Sequence, residues 1–208
     1  MNPQRLTLVT VAVAVLVVAG ILIAPRLGGA GPAVLDVSGQ PVLGAPDAPV
    51  TMVVFEDFRC PGCQNFELNV MPGIRRDYVD GGRVRVVYMN LPVLGPASEY
   101  VARIGECVFS QSNEAFWEMK TPLYRAQAEL SDNRRARELA LTYAPGVDAG
   151  AVDACLADPA SLEAVRADAA TATALELRST PSVVVNGVTV ATPSADAVRA
   201  AIDGALAD

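Results

Sequence analysis

The longest apolar stretch of the chain lies near its start. "LTLVTVAVAVLVVAGILIA", from Leu6 to Ala24, carries no charge and is long enough to cross a hydrocarbon core as a helix. Arg5 precedes it and Arg26 follows, a weak positive-inside bias that leaves the rest of the chain outside the cytoplasm. The length of the run favours an uncleaved, single-pass anchor in the cell membrane, within residues 1–30. The alternative is a cleaved signal peptide, with Gly28-Gly29-Ala30 as a small-residue cleavage site. In both readings the remainder is exported. Residues 31–49, with Gly, Pro and Ala and few apolar pairs, read as a linker and an irregular lead-in.

Past this point the pattern changes period. "VTMVVFEDF", Val50 to Phe58, is a buried strand rich in β-formers. After Cys60, Phe66, Val70, Ile74 and Tyr78 recur every fourth position and define one helical face. "RVRVVYMNLP", Arg83 to Pro92, alternates and then runs apolar, a second strand. Strand, helix and strand make a right-handed βαβ unit with parallel strands. Residues 97–177 follow a helical pattern, broken near Ser112-Asn113, Ser131-Asp132, Pro145-Gly146 and Asp158-Pro159. "PSVVVNGVTVA" then gives two short strands around Asn186-Gly187, a pair that favours a type I′ turn. A helix from about Ser194 to Leu206 closes the chain. The fold class is therefore α/β: residues 50–96 and 178–208 form one unit, and residues 97–177 are a helical insertion within it.

Composition narrows the chemistry. The 208 residues include no histidine, which removes imidazole acid–base catalysis and imidazole metal ligation. A formal net charge of -7 offers no broad basic surface for nucleic acid. The cluster Arg134, Arg135, Arg137 reads as the solvated face of a helix.

Four cysteines in an exported domain make an even set, in a compartment where disulfides persist. Cys60 and Cys63 flank Pro61 and Gly62 where a strand gives way to a helix. The unpaired N–H groups of a helix start favour an anion, so Cys60 there is suited to act as a thiolate without help from histidine. Pro61 fits the first helical turn, where its missing N–H has no intrahelical partner to lose. Cys63, one turn further in, is within reach of Cys60 and more shielded, which fits it to resolve a mixed disulfide. Zinc sites use the same spacing, but the other two ligands would have to be Cys107 and Cys155, which lack the close local spacing usual for a second pair. A copper chaperone would ordinarily add Met or His ligands, and Phe116-Trp117-Glu118-Met119 reads as helical core. We therefore expect neither a metal nor a cofactor. Cys107 and Cys155, each with apolar neighbours at helical spacing, are expected to form a structural disulfide; the alternative is two buried free thiols.

Three segments in order, strand-"CPGC"-helix, "LPVLGPASEYVARIGECVFSQSNEAFWEMKTPLY" and "STPSVVVNGV", resemble the DsbA-like thiol:disulfide oxidoreductases of the thioredoxin superfamily. Together they span nearly all of residues 50–208. The resemblance implies a thioredoxin-like fold with a helical insertion, and a cis Thr180–Pro181 peptide facing the active cysteines. Beside that proline, the Thr180 main chain can pair with an extended substrate segment. It further implies reduced or unfolded secreted polypeptides as substrates, and a quinone-linked membrane partner as reoxidant. A reductase or isomerase kept reduced by a membrane donor is the alternative within the same class. Many relatives carry a buried acid six residues before the first cysteine, where this chain has Val54. Glu56, two residues later on the same side of the strand, is either a substitute acid for proton transfer or a solvated acid at the strand end.

Overall fold

The computed structural model describes residues 35–207, and the Leu6–Ala24 segment read as an anchor lies outside them. Among the described residues, no helix is long and apolar enough to cross a membrane.

The strands are β1 (Val42–Leu43), β2 (Val50–Glu56), β3 (Val84–Asn90), β4 (Ser182–Val185) and β5 (Val188–Val190), in the sheet order β1-β3-β2-β4-β5. β2 and β3 are parallel, and β4 and β1 run antiparallel to their neighbours on either side. The stretch read as an irregular lead-in thus supplies an edge strand. Two residues carry no period, which is why the sequence pattern passed over β1. Asn186 and Gly187 have φ of 43° and 82° and turn β4 into β5, the left-handed pair that a type I′ turn requires.

Parallel β2 and β3 are joined by α1, a continuous helix from Pro61 to Val79 with widened, π-type turns at Phe66–Val70 and Arg75–Val79. The widening explains the four-residue spacing of its apolar face. A strict α-helix of 3.6 residues per turn would rotate Phe66, Val70, Ile74 and Tyr78 off one side, and the wide turns bring them back.

The insertion comprises α2 (Pro96–Phe109), α3 (Asn113–Arg125), a 3₁₀ turn (Gln127–Glu129), α4 (Asn133–Tyr143), α5 (Ala149–Ala157) and α6 (Ala160–Ala174). Ser112, Asp132 and Asp148 each cap a helix start by accepting from the main-chain N–H three residues on. Of these, Asp148 was not marked by the breaks in the sequence pattern. The closing helix, α7, spans Ala195–Ala207.

Strand alternation sorts the core into layers. Val50, Met52 and Val54 face α1 and α7, while Val53 and Phe55 face Ala172 of α6 and Leu177. A third cluster joins the insertion to the end of the sheet through Phe58, Tyr88, Phe116 and Tyr124. α6 is docked by a buried carboxylate: Asp168 accepts from the N–H and the side-chain amide of Asn90 at the end of β3, and from Gln40. Glu106 accepts from the same Asn90 amide, and burial next to Asp168 pushes its carboxyl up to about 7.

Cys107 on α2 and Cys155 on α5 are joined by a disulfide across a separation of 48 residues, so neither is a free buried thiol. A loop of that length gives about 4 kcal/mol of stabilisation in the chain-entropy account. Replacing both with Ala should therefore lower the melting temperature by on the order of 10 °C. It should leave the reduction potential of the Cys60–Cys63 pair nearly unchanged, because the two pairs lie on different elements. A large shift of that potential in the double variant would show that the pairs are coupled.

Candidate active site

Cys60 is the residue just before α1, in extended conformation, with Pro61 in the first turn. Its N–H donates to the Asp57 carbonyl at 2.9 Å, and its carbonyl accepts from Gln64 N–H and from the Gln127 side chain. Gln127 also holds the Phe58 carbonyl, so the insertion pins the turn that presents Cys60. The Cys60 thiol is half-buried, and that of Cys63 is fully buried. Burial, with the charge of Glu56 next in weight, raises the Cys63 thiol well above its ordinary range. The two sulfurs thus occupy different environments, one open to a partner and one closed.

The Thr180–Pro181 peptide is cis and lies against the pair. Cys60 Sγ donates to the Thr180 carbonyl at 3.3 Å. A Cβ placed on Gly62 would sit 3.2 Å from Pro181 Cδ and 3.3 Å from the Thr180 oxygen. Gly62 therefore admits the close approach of the two loops. The sequence-derived candidates Cys60, Pro61, Gly62, Cys63, Thr180 and Pro181 all converge here from two ends of the chain. Because Cys107 and Cys155 are bonded to each other, they offer no thiolates to complete a zinc site with Cys60 and Cys63.

Glu56 is 1% exposed, which corrects the reading of a solvated acid at the strand end. Its Oε2 lies 2.7 Å from Lys120 Nζ, and Lys120 also pairs with Glu67 of α1, itself hydrogen-bonded to Thr121. Burial pushes the Glu56 carboxyl up to about 7, against the pull of the Lys120 charge and with the push of Glu67. Burial opposes the Lys120 ammonium, but the two carboxylates outweigh it and raise its pKa. The ammonium is also flanked by the rings of Tyr88, Trp117 and Tyr124 at 5.2 to 5.7 Å.

Lys120 and Glu67 were missed as site residues. One signal was available. On α3 the buried positions are Ala115, Phe116, Met119, Lys120, Leu123 and Tyr124, so the lysine falls in phase with the apolar face, where an unpaired cation would be costly.

A family model described as "Thioredoxin" matches residues 36–204. The chain is 34% identical over 173 residues to the "Probable disulfide bond formation protein D" of Bacillus anthracis, covering 81% of this chain and 79% of that protein. The chain belongs to the thioredoxin superfamily, among its DsbA-like thiol:disulfide oxidoreductases. "Disulfide bond formation protein D" of Bacillus subtilis is 36% identical over a shorter stretch of 94 residues, 45% of this chain and 42% of that protein. Oxidised BdbD from Bacillus subtilis superposes with a TM-score of 0.76 at 26% identity, over 83% of this chain and 96% of that one. α-DsbA1 of Wolbachia pipientis shares the fold, with a TM-score of 0.72 at 20% identity over 84% and 94% of the two chains. In this DsbA-like chain the helical insertion supplies more than bulk: from it Gln127 reaches the Cys60 carbonyl and Lys120 reaches Glu56.

Proposed function

We propose that this DsbA-like chain is an extracytoplasmic dithiol oxidase, held at the membrane by the apolar segment Leu6–Ala24, which gives its Cys60–Cys63 disulfide to reduced secreted polypeptides. The observation that carries this reading is the asymmetry of the pair: Cys60 is accessible and backed by the Thr180 main chain, whereas Cys63 is sealed. A substrate thiolate attacks Cys60 Sγ, the Cys60–Cys63 bond breaks, and Cys63 departs with the electron pair. Because burial disfavours its thiolate, Cys63 takes up a proton, for which Glu56 is the donor in this reading. A carboxyl titrating at about 7 is matched to that task near neutral pH. The second substrate thiolate then attacks its own sulfur in the mixed disulfide, and Cys60 leaves as thiolate. Two electrons have passed to the enzyme, and a quinone-linked membrane partner removes them to restore the disulfide. Thr180 offers main-chain groups to an extended substrate, a mode that gives affinity without sequence demands. The Bacillus relatives are disulfide bond formation proteins by name, which supports the oxidising direction.

The deciding measurement is the equilibrium of the purified domain with a glutathione series, paired with oxidation of a reduced, unfolded substrate. An oxidase should poise nearer to about -120 mV than to about -270 mV, the span from a strong oxidant to thioredoxin. A value at the low end, with reduction of protein disulfides and no oxidation of dithiols, would make the chain a reductase or isomerase.

A further inference from the structure

The turn that carries Cys60 is tied down from two sides. From the strand side, the Asp57 carbonyl accepts from Cys60 N–H at 2.9 Å, and Asp57 Oδ1 accepts from Arg59 N–H at 2.8 Å. From the insertion side, Gln127 Nε2 donates to the Phe58 and Cys60 carbonyls, each at 2.9 Å. Both hydrogens of one amide are thus engaged by the two carbonyls that bracket Arg59. The Cys60 carbonyl also receives Gln64 N–H, the first bond of α1. Among the described residues, the Phe58 carbonyl has no second donor.

These bonds bear on the sulfur through the peptide planes around it. Cys60 is the N-cap of α1, with φ of -76° and ψ of 122°, the extended setting from which a cap side chain turns back over the free N–H groups of the first turn. The two planes before Cys60 are held by their N–H groups on Asp57. The plane after it, shared with Pro61, has no N–H and can be held only by its carbonyl. We propose that Gln127 is a positioning residue for the exchange reaction: by holding the Phe58 and Cys60 carbonyls it keeps Cys60 Sγ over the first turn of α1 and so sets how readily Cys60 leaves as a thiolate. This rests on the oxidoreductase reading above and adds that the helical insertion tunes the redox pair. A more stable Cys60 thiolate makes the reduced form more stable and the domain a stronger oxidant. An amide fits the role where a carboxylate does not, since two acceptors call for two donors on one atom.

The test uses the intact protein and Gln127→Met, which keeps the stem and removes both donors. Gln64→Met is the control. Its side chain makes the other glutamine bond across the same joint, Gln64 Nε2 to the Tyr124 carbonyl at 2.6 Å, and its main-chain N–H stays in place. The reduced proteins are alkylated with iodoacetamide at about pH 5.5 and at about pH 9.5, where an accessible thiol is largely ionised; Cys63, being sealed, takes no part. Gln127→Met should react about tenfold more slowly than the wild type at the lower pH, the scale of one anion at a helix start, and equally fast at the higher. Its equilibrium with glutathione should shift about tenfold in favour of the disulfide form, or about 30 mV toward the reducing side. Gln64→Met should match the wild type in both measurements. Gln127→Asn, too short to reach both carbonyls, is the second variant if methionine disturbs the joint, and a shift in the same direction is expected. Equal slowing at both pH values would mean lost access and not a lost thiolate, and overturns the proposal. So does a Gln127→Met protein that behaves as wild type, or a Gln64→Met protein that shifts as far. If wild-type Cys60 reacts at the lower pH no faster than the thiol of an unstructured peptide, it is the oxidoreductase reading that fails.

Discussion

A Cys63→Ser variant should accumulate as mixed disulfides through Cys60, whereas Cys60→Ser should form none and fall to background in any thiol–disulfide exchange. The argument begins with access. Exchange requires a sulfur in line with the incoming thiolate, and Cys63 is fully buried, behind the turn that Asp57 and Gln127 hold. Cys60 lies at the open end of α1, where the Thr180 carbonyl is its neighbour. With Cys63 replaced, a substrate joined to Cys60 meets no resolving sulfur and stays attached. With Cys60 replaced, the remaining thiol is closed off and its thiolate is disfavoured by burial, so nothing reacts. Incubation with an oxidised peptide, followed by non-reducing electrophoresis and peptide mapping, reads the result. Adducts on Cys63 in the Cys60 variant would reverse the assignment.

How much of this was legible in the sequence depends on the range of the interaction. The run Val50–Phe58, the Pro61 that starts a helix and the Asn186-Gly187 turn are local signals, each acting within a few residues, and the elements lie where those signals put them. The layers of the sheet follow from alternation in β2, because a strand buried on both faces must be apolar on both. What escaped is long-range. β1 is defined by its pairing with β3, some 45 residues on, and not by its own two residues. Glu56 reads as either solvated or buried until Lys120 is placed next to it, and that lysine lies 64 positions away by the numbering. Asp57 shows the same limit: an acid before a turn is ordinary, and only the fold brings Leu94 N–H to it. Lys120 was the partial exception, since its phase on α3 marked it as buried without naming its partners.

Lys120→Met is expected to destabilise the fold by about 5 kcal/mol at pH 7, the upper end for breaking a buried ion pair. Methionine keeps the length of the stem and suits the rings of Tyr88, Trp117 and Tyr124, so the loss is electrostatic and not one of packing. Glu56 and Glu67 would then face each other without their shared cation. The sign of the pH dependence follows from Glu56. In the wild type its carboxyl sits at about 7 in the folded state, above its ordinary value of 4.5. The folded chain therefore holds a proton that the unfolded chain releases, and stability falls as pH rises through that interval. Removing Lys120 removes the main opposing charge, so the carboxyl moves higher and the fall steepens. Below pH 5 the Glu56 carboxyl is neutral, and the defect should shrink to a fraction of its value at neutral pH. Urea unfolding at pH 5 and pH 7.5 measures this, with a midpoint lowered by roughly 2 M at the higher pH. Adding Glu56→Gln to Lys120→Met should restore part of the stability at pH 7.5 and little at pH 5, because the amide needs no counter-ion. A defect equal at both pH values would mean that Lys120 supports the core by shape alone, and that Glu56 does not depend on it for its charge.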